Sequence, residues 1–349
     1  MGFVKLKYWR WDLKLTHTWA ISRSSGTDIF KVVLVELADA DGLTGLGEAA
    51  PIRRYEESVD TVMAFCAQVD AARLSFADIP GSMAYLETVA PGNMAAKCAI
   101  NVALVDGAAK RAGKAVYDLL GLGFQEGRHV TSFSIGIDKP EVIRQKVLEA
   151  AKYPVLKLKV GGPDDELNLA ALRAAAPDKP VSVDANEGWK TKEQALDQLE
   201  WLARDGHIEF VEQPMPAATA LPDLAWLKAR SPLPLFGDES YHTAADVDFC
   251  AAAYHGVNVK LTKSGGITGG FAALQAARAA GLQTMVGCMI ETSVLISAAA
   301  QLAALTNHLD IDGNLLITND PYTGPTAEKG MISFAHAVEK SGLRVRLKS

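Results

Sequence analysis

Cysteine is scarce and scattered in this chain: Cys66, Cys98, Cys250 and Cys288 lie far apart, and no CxxC pair occurs. Isolated thiols of this kind read as small core residues of a reducing compartment, which excludes a disulfide framework or a zinc knuckle. Long apolar runs are missing too. The opening Met-Gly-Phe-Val-Lys-Leu-Lys has no apolar signal core and no later run is long enough to span a bilayer, so the expectation is a cytoplasmic protein with no membrane partner. Positive charge is not in excess: 35 Lys and Arg against 41 Asp and Glu leave a net charge of −6, with a pI near 5.7. Nucleic acid is therefore not an expected partner. HExxH is absent and no histidine has metal-ligand spacing. The glycine-rich stretch Ser264–Gly270 is followed by no GKS or GKT, so it reads as a tight turn into a helix and not as a phosphate cradle.

What is present is an ordinary globular balance, 49% hydrophobic and 22% charged over 349 residues, enough for one large barrel with an added domain, or for two domains. Residues 1–50 have the texture of a strand meander. Phe3–Lys14 alternates, Phe30–Ala38 is rich in valine, and Asp39-Ala-Asp-Gly42 is a hairpin-type turn. Two loops interrupt this part: the polar Thr16–Asp28, with Arg23 as its lone cation, and Pro51–Ser58. From Ser58, a plausible helix cap, to Leu120 the period becomes helical, as in Cys98, Val102, Val105 and Ala109. After about Val130 short apolar strands alternate with alanine-rich helical stretches: Val130–Ile137, Val155–Val160, Val181–Asp184, Ile208–Glu212, Pro234–Asp238, Val257–Leu261, Thr284–Cys288 and His308–Asp312. Eight strands alternating with helices predict a parallel (β/α) barrel. The turn-rich residues after Leu315 are expected to pack back on the first domain.

Within Tyr153–Gly162, Lys157 and Lys159 interrupt an apolar strand, and residues two apart share a strand face. Either this is an edge strand with solvated lysines, or both ammonium groups point into the protein, where mutual repulsion and burial lower their pKa and make a usable base. Spacing favours the second. Lys159, Asp184, Glu212, Asp238, Lys260 and Asp310 follow one another at steps of 25, 28, 26, 22 and 50 residues; a barrel unit takes roughly 25, and the fold would bring these strand ends to one mouth.

Any one of Asp184, Glu212 and Asp238 could merely cap a following helix. Three at consecutive strand ends repel one another unless a divalent cation sits among them, and an all-oxygen set selects Mg²⁺, with Mn²⁺ as the alternative. Lys260 is expected across the mouth from Lys159, with Lys263 behind it at a helix start or supporting the site. Two opposed lysines over a cation define proton abstraction and return next to a carboxylate. A positioned base supplies roughly 10²–10⁴-fold, about 3–5 kcal/mol, whereas even a modest enzyme needs about 8; the cation would supply most of the remainder. Asp310 and Asp312 share a face and read as an anionic pair for a substrate cation, or, for Asp312-Gly313, as a simple turn.

These motifs together resemble the enolase superfamily, in particular its muconate-lactonising subgroup: Lys-x-Lys, Asp184-x-Asn186, Glu212-Gln-Pro, Asp238-Glu239-Ser and Lys260. The resemblance covers nearly the whole chain. It implies an α/β fold, a (β/α)7β TIM-like barrel (123–314) with an N-terminal α+β capping domain (1–122) completed by the returning C-terminal segment (315–349). It further implies Mg²⁺ on Asp184, Glu212 and Asp238, Lys159 and Lys260 as the acid/base pair assisted by Lys157, and Asn186 and Glu239 as supporting residues. Asp310 and Asp312, with Gly287-Cys-Met-Ile-Glu-Thr-Ser293, are most similar to the dipeptide epimerases, which assigns substrate contact to Asp310, Asp312, Met289 and Glu291. Arg23 and Tyr55, in the capping loops, resemble the residues of enzymes acting on L-Ala-D/L-Glu, and Arg23 would then receive an acidic side chain. The expected partner is a small dipeptide, and the expected assembly a homo-oligomer. Competing readings are a cycloisomerase or o-succinylbenzoate synthase, whose substrates carry no α-ammonium, a Schiff-base aldolase, and a ligand-binding barrel without turnover.

Overall fold

The computed structural model describes residues 4–349; Phe3, the expected start of the first strand, lies outside them. Strands β1 (Lys5–Ile21) and β2 (Ser24–Ala38) form a long antiparallel hairpin, and β3 (Thr44–Ala49) pairs with the other edge of β2. The stretch Thr16–Asp28, expected as a loop, is instead the far end of that hairpin, with irregular register beyond Lys14. Beyond Leu13, Thr16–Thr18 are all exposed and Trp19–Ile21 all half-buried, so the two-residue alternation that marks a strand disappears while the backbone ladder continues. The turn after β2 is as expected: Gly42 has φ +81°, and Asp39 accepts from the Asp41 and Leu43 amides, both at 2.9 Å.

Helices α1 (Val59–Gln68), α2 (Ile79–Val89) and α3 (Met94–Arg111) cover this sheet, followed by the single turn α4 (Val116–Leu119). Ser58 caps α1 in a reciprocal box with Thr61. Cys98, Val102, Val105 and Ala109 are all buried in α3, as is most of that helix, because it is sandwiched. One side lies on β3, where Gly45 and Gly47 make room: a Cβ at either would strike the carbonyl oxygen of Ala103 or Ala99. The other side meets the barrel, where Asn101 exchanges hydrogen bonds with Thr268 (2.9 and 3.1 Å).

The second unit is an eight-stranded sheet, parallel throughout and in chain order: β4 (Phe133–Ile135), β5 (Leu156–Lys159), β6 (Val181–Asp184), β7 (Ile208–Glu212), β8 (Leu235–Gly237), β9 (Gly256–Lys260), β10 (Gln283–Gly287) and β11 (His308–Asp310). A parallel bridge between Thr131 and Leu309 closes it into a barrel. Helices follow the first seven strands: α5 (Pro140–Glu149), α6 (Asp165–Ala175), α7 (Lys192–Ala203), α8 (Leu221–Lys228), α9 (Val247–Ala253), α10 (Leu261–Ser264) with α11 (Ile267–Ala279), and α12 (Ser293–Ala300). None follows β11, so the architecture is (β/α)7β. The expected strands shift or shorten by a few residues. The largest change is at Val130–Ile137, where Val130 bridges to Met331 and only Phe133–Ile135 joins the ladder. Phe210, Phe236 and Met285 pack as an apolar floor inside the barrel, each two residues before the strand's last inward position, with the His308 ring 4.9 Å from Phe210.

Residues after β11 bond to both units. Ile317 bridges to Leu15 of β1 and Met331 to Val130, while the Leu343 amide donates to Asp106 of α3 at 2.7 Å. Among the described residues, no helix is long and apolar enough to cross a membrane.

The β3–α3 contact gives a direct test. Gly47→Ala should lower the unfolding free energy by about 1–3 kcal/mol, the usual cost of overpacking, measured by urea denaturation; Gly42→Ala, with open space around its Cβ position, should show only the smaller backbone penalty of its positive φ.

Candidate active site

Strand register assembles the mouth. Lys159, Asp184 and Glu212 are lateral partners across β5, β6 and β7, and Lys260, Gly287 and Asp310 are partners across β9, β10 and β11. Asp238 is the first residue past β8. The strand-end charges expected from spacing therefore all lie at one end of the barrel. Asp184, Glu212 and Asp238 are buried, and each offers a carboxylate oxygen within 4.8 Å of the others. Three hard oxygen donors converging this closely fit a divalent cation of the magnesium type.

The two lysines flank this trio. Lys159 Nζ lies 2.6 Å from Asp184 Oδ2 on one side, and Lys260 Nζ lies 2.7 Å from Asp238 Oδ2 on the other. Burial opposes ionisation of Asp184 and Asp238, yet their lysine partners hold both below the usual carboxylate range. Burial and the neighbouring Asp184 charge push Glu212 up to about 8.

The expectation that mutual repulsion lowers Lys157 is not met. Its ammonium sits among Glu212 (2.6 Å), Asp310 (2.6 Å) and Asp184 (3.2 Å). Burial works against the charge, but Asp310, Glu212 and Asp184 raise its pKa well above the usual value. Lys157 is 1% exposed, and the cavity at the mouth is bordered by Lys159 and Lys260 without it. Lys260 is likewise raised, by Asp238 and Glu212 against its burial.

Supporting residues fall behind the ligands. Lys263 Nζ donates to the carboxylate (2.5 Å) and the carbonyl of Asp238. Asn186 donates to Asp184 from its backbone at 2.9 Å and its amide at 3.2 Å, and its amide reaches Glu239 at 3.4 Å. Two further residues were not singled out from sequence. Asn258 donates to Glu212 Oε1 at 2.8 Å; it stands two residues before Lys260, so the same-face rule applied to Lys157 and Lys159 could have found it. Gln213 accepts from the Asp238 amide at 2.9 Å, tying the ends of β7 and β8.

Asp310 and Asp312 both border the cavity. Asp310 accepts from Ser132 Oγ and Lys157 Nζ, both at 2.6 Å; burial opposes its charge, but Lys157 and Lys159 lower its pKa. Asp312 accepts from the Ser134 amide at 2.6 Å, and burial together with Asp310 pushes it up to about 7. Among the described residues, no ammonium or guanidinium bonds to Asp312, whose partners are the Ser134 amide and hydroxyl.

The capping domain roofs a cavity of about 890 Å³ whose wall includes Trp19, Arg23, Ile52, Tyr55, Lys159, Lys260, Met289 and Asp312. Tyr55 packs edge-on against His242 at 5.2 Å, and burial, Asp238 and Glu239 raise its pKa. Arg23, expected to receive an acidic side chain of the substrate, donates to Glu239 (2.5 Å) and Glu187 (3.0 Å). Glu291, expected on the substrate, does not border the cavity: it is 2% exposed and accepts from the Met289 amide at 2.9 Å. Burial and nearby Glu48 push it up to about 8. Glu48, from β3, accepts from the amide (2.9 Å) and hydroxyl (2.5 Å) of Thr292, the cap of α12.

Comparison with known proteins agrees with this architecture. Residues 13–121 match the mandelate racemase / muconate lactonizing enzyme N-terminal domain, and residues 142–343 the enolase C-terminal domain-like family. An L-Ala-D/L-amino acid epimerase of Pedosphaera parvula is 67% identical over 347 residues, covering 99% of this chain and 100% of the relative. Among solved structures, a substrate-liganded L-Ala-D/L-Glu epimerase from Bacillus subtilis superposes with a TM-score of 0.92 at 27% identity over 100% of both chains. A Cytophaga hutchinsonii dipeptide epimerase complexed with Mg and D-Ala-L-Val gives 0.91 at 27% identity, covering 100% of this chain and 96% of that one.

Glu291 sets a pH dependence of stability. Its pKa is about 8 in the folded chain and about 4.3 when unfolded, so between these values the folded state keeps a proton that the unfolded state releases. Unfolding free energy then falls as pH rises through this window, by up to about 1.4 kcal/mol per unit. Glu291→Gln should make that slope shallower by its own share in urea titrations from pH 5 to 8, since Glu48, pushed up to about 7 by its burial, keeps a slope of the same sign; an unchanged slope would show that Glu291 does not contribute.

Proposed function

The chain belongs to the enolase superfamily, in its mandelate racemase / muconate lactonizing enzyme group, and on that premise we propose that it is a metal-dependent dipeptide epimerase. It inverts the α-carbon of the C-terminal residue of a dipeptide such as L-Ala-D/L-Glu by 1,1-proton transfer. One observation carries this reading: two lysines flank three converged carboxylates, and a cation-free aspartate waits on the same wall.

Asp184, Glu212 and Asp238 would hold Mg²⁺, or Mn²⁺ in its place, and the ion supplies positive charge against which a substrate carboxylate and its enediolate are stabilised. Asp312, backed by Ser134, and Asp310, backed by Ser132 and Lys157, receive the α-ammonium. The C-terminal residue's Cα–H then lies between Lys159 and Lys260. One Nζ takes the α-proton, the electron pair passes into the carboxylate as the enediolate, and the ammonium on the opposite side returns a proton to the other face. Lys157 acts as a fixed cation holding Glu212 and Asp310 in place. Lys263 and Asn186 orient Asp238 and Asp184. Tyr55, Met289 and the capping loops close the site against water, which strengthens each charge interaction inside it. A cycloisomerase or o-succinylbenzoate synthase would present Asp312 with no cation. Isolated thiols suit the cytoplasmic setting included in this proposal.

Proton exchange of L-Ala-containing dipeptides in D₂O, followed by NMR, tests the assignment. Activity should vanish with EDTA and return with Mg²⁺ or Mn²⁺; full turnover of stripped enzyme would remove the metal from the mechanism.

Single-lysine variants test the two-base step. Lys159→Ala should lose α-proton exchange with one epimer and keep some with the other, Lys260→Ala should do the reverse, and epimerisation should fall by about 10²–10⁴-fold or more in both. Near-complete epimerisation by either variant would show that another base acts.

A further inference from the structure

A second cavity, of about 200 Å³, lies beside the cavity at the mouth, between β4, the end of α5 and the Leu15–Trp19 stretch of β1. The stacked rings of Phe133 and Tyr153, 4.3 Å apart, form part of its wall. Three residues border both spaces: Trp19, Ser134 and Leu316. They stand at the seam where the sheet closes. There β4 and β11 share one bridge, Thr131 to Leu309, in place of a ladder; nearer the mouth the strands are joined through Asp310, which accepts from Ser132 Oγ, and Asp312, which accepts from the Ser134 amide. The second cavity is close to this seam, since burial and the Asp312 charge raise the pKa of Tyr153.

Trp19 and Leu316 are both held in place. The Thr16 amide donates to the Leu316 carbonyl at 2.9 Å, and the Ile137 amide to the Ala20 carbonyl at 3.0 Å. Gly136 makes room for the indole: a Cβ there would lie 3.3 Å from Trp19 Cε3. On its other side the indole approaches the reacting centre, with its ring centroid 5.9 Å from Lys159 Nζ. In a dipeptide the α-ammonium and the first side chain leave the same carbon. An ammonium on Asp312, next to Ser134, therefore puts the N-terminal side chain against the partition between the two cavities.

We propose that Trp19 and Leu316 form a stopper that limits the substrate's N-terminal residue to a small side chain by sealing off the cavity beside Ser134. Packed protein gives way poorly to added methylenes, so a side chain as long as leucine meets the indole, whereas the methyl of alanine does not. This rests on the dipeptide epimerase reading and is independent of how the C-terminal side chain is chosen.

The test compares kcat/KM for L-Ala-L-Leu and L-Leu-L-Leu by α-proton exchange in D₂O with Mg²⁺-loaded enzyme. The wild type should favour L-Ala-L-Leu by about tenfold or more, the usual discrimination for added methylenes in a closed pocket. Trp19→Ala joins the two cavities and should shift the ratio toward L-Leu-L-Leu by about tenfold or more. Trp19→Phe keeps a ring in the seam and should shift it less. Leu316→Ala opens the same partition from the barrel side, should move the ratio in the same direction, and carries the test if Trp19→Ala does not fold. A merely structural role would lower both substrates together and leave the ratio unmoved. Equal use of both dipeptides by the wild type, an unchanged ratio in either folded alanine variant, or as large a shift in Trp19→Phe as in Trp19→Ala would each overturn the proposal while leaving the epimerase assignment standing. Wild-type enzyme that exchanges neither dipeptide would instead overturn that assignment, and this proposal with it.

Discussion

Charge buried at the barrel mouth must be balanced, and the rest of this structure follows from that constraint. Among the described residues, Lys157, Lys159, Lys260 and Lys263 meet Asp184, Glu212, Asp238 and Asp310 there, and none of the eight is more than 7% exposed. Each ion taken from water costs several kcal/mol unless partners replace its hydration. Four ammonium groups against four carboxylates meet that requirement only if the backbone holds them in register. The barrel does so because its parallel strands all end at one mouth, and because Asn258 and Gln213 spend their amides on Glu212 and on the strand end at Asp238. Gly287 contributes by omission: a Cβ there would collide with the Asn258 amide.

The capping domain belongs to the same balance. Its strand β3 lies close enough to α3 to need Gly45 and Gly47, and α3 in turn packs on α10 and α11 of the barrel. From this rigid seam the hairpin tip and the loop after β3 reach over the mouth, where Arg23 and Arg54 neutralise Glu239 and Glu187. Glu48 continues the seam from below by holding the start of α12. The roof is therefore fastened by ion pairs at its rim and by glycine-mediated packing at its root, over a cavity that is open at the side of the capping loops.

Much of this was legible in the sequence because barrels impose period. A step of roughly 25 residues between charged strand ends placed Lys159, Asp184, Glu212, Asp238, Lys260 and Asp310 at one mouth, where the structure has them. What escaped reading was long-range pairing. Nothing local distinguishes Glu187 from a solvated loop acid, since its partners Arg23 and Arg54 are 164 and 133 residues away in the chain. The end of the β1–β2 hairpin escaped because wet strands lose their alternation. Glu291 was drawn toward the substrate by a motif, yet its side chain turns inward to the Met289 amide. For Lys157, face geometry was right and electrostatics incomplete: the same-face rule gave its direction but could not show three carboxylates waiting at the end of the side chain.

That omission bears on how a lysine would become a base in the proposed reaction. Repulsion between Lys157 and Lys159 is not the source, because each ammonium already has a carboxylate within 2.6 Å. Against their burial, Asp310, Glu212 and Asp184 hold Lys157 above the usual lysine range, and Asp238 and Glu212 hold Lys260 there. A divalent cation on Asp184, Glu212 and Asp238 together with one substrate carboxylate would add a single net positive charge to this buried set, with the substrate ammonium matched at Asp312. An uncompensated positive charge at low dielectric favours proton release from a neighbouring ammonium, and Lys159 and Lys260 are the ones that border the cavity and could pass a proton to or from a substrate. Lys157 and Lys263 do not border it, and each meets two or more acceptor oxygens. In this mechanism the base would be created by loading the site, and burial, which forces the charges to pair, is also what would make one added charge sufficient.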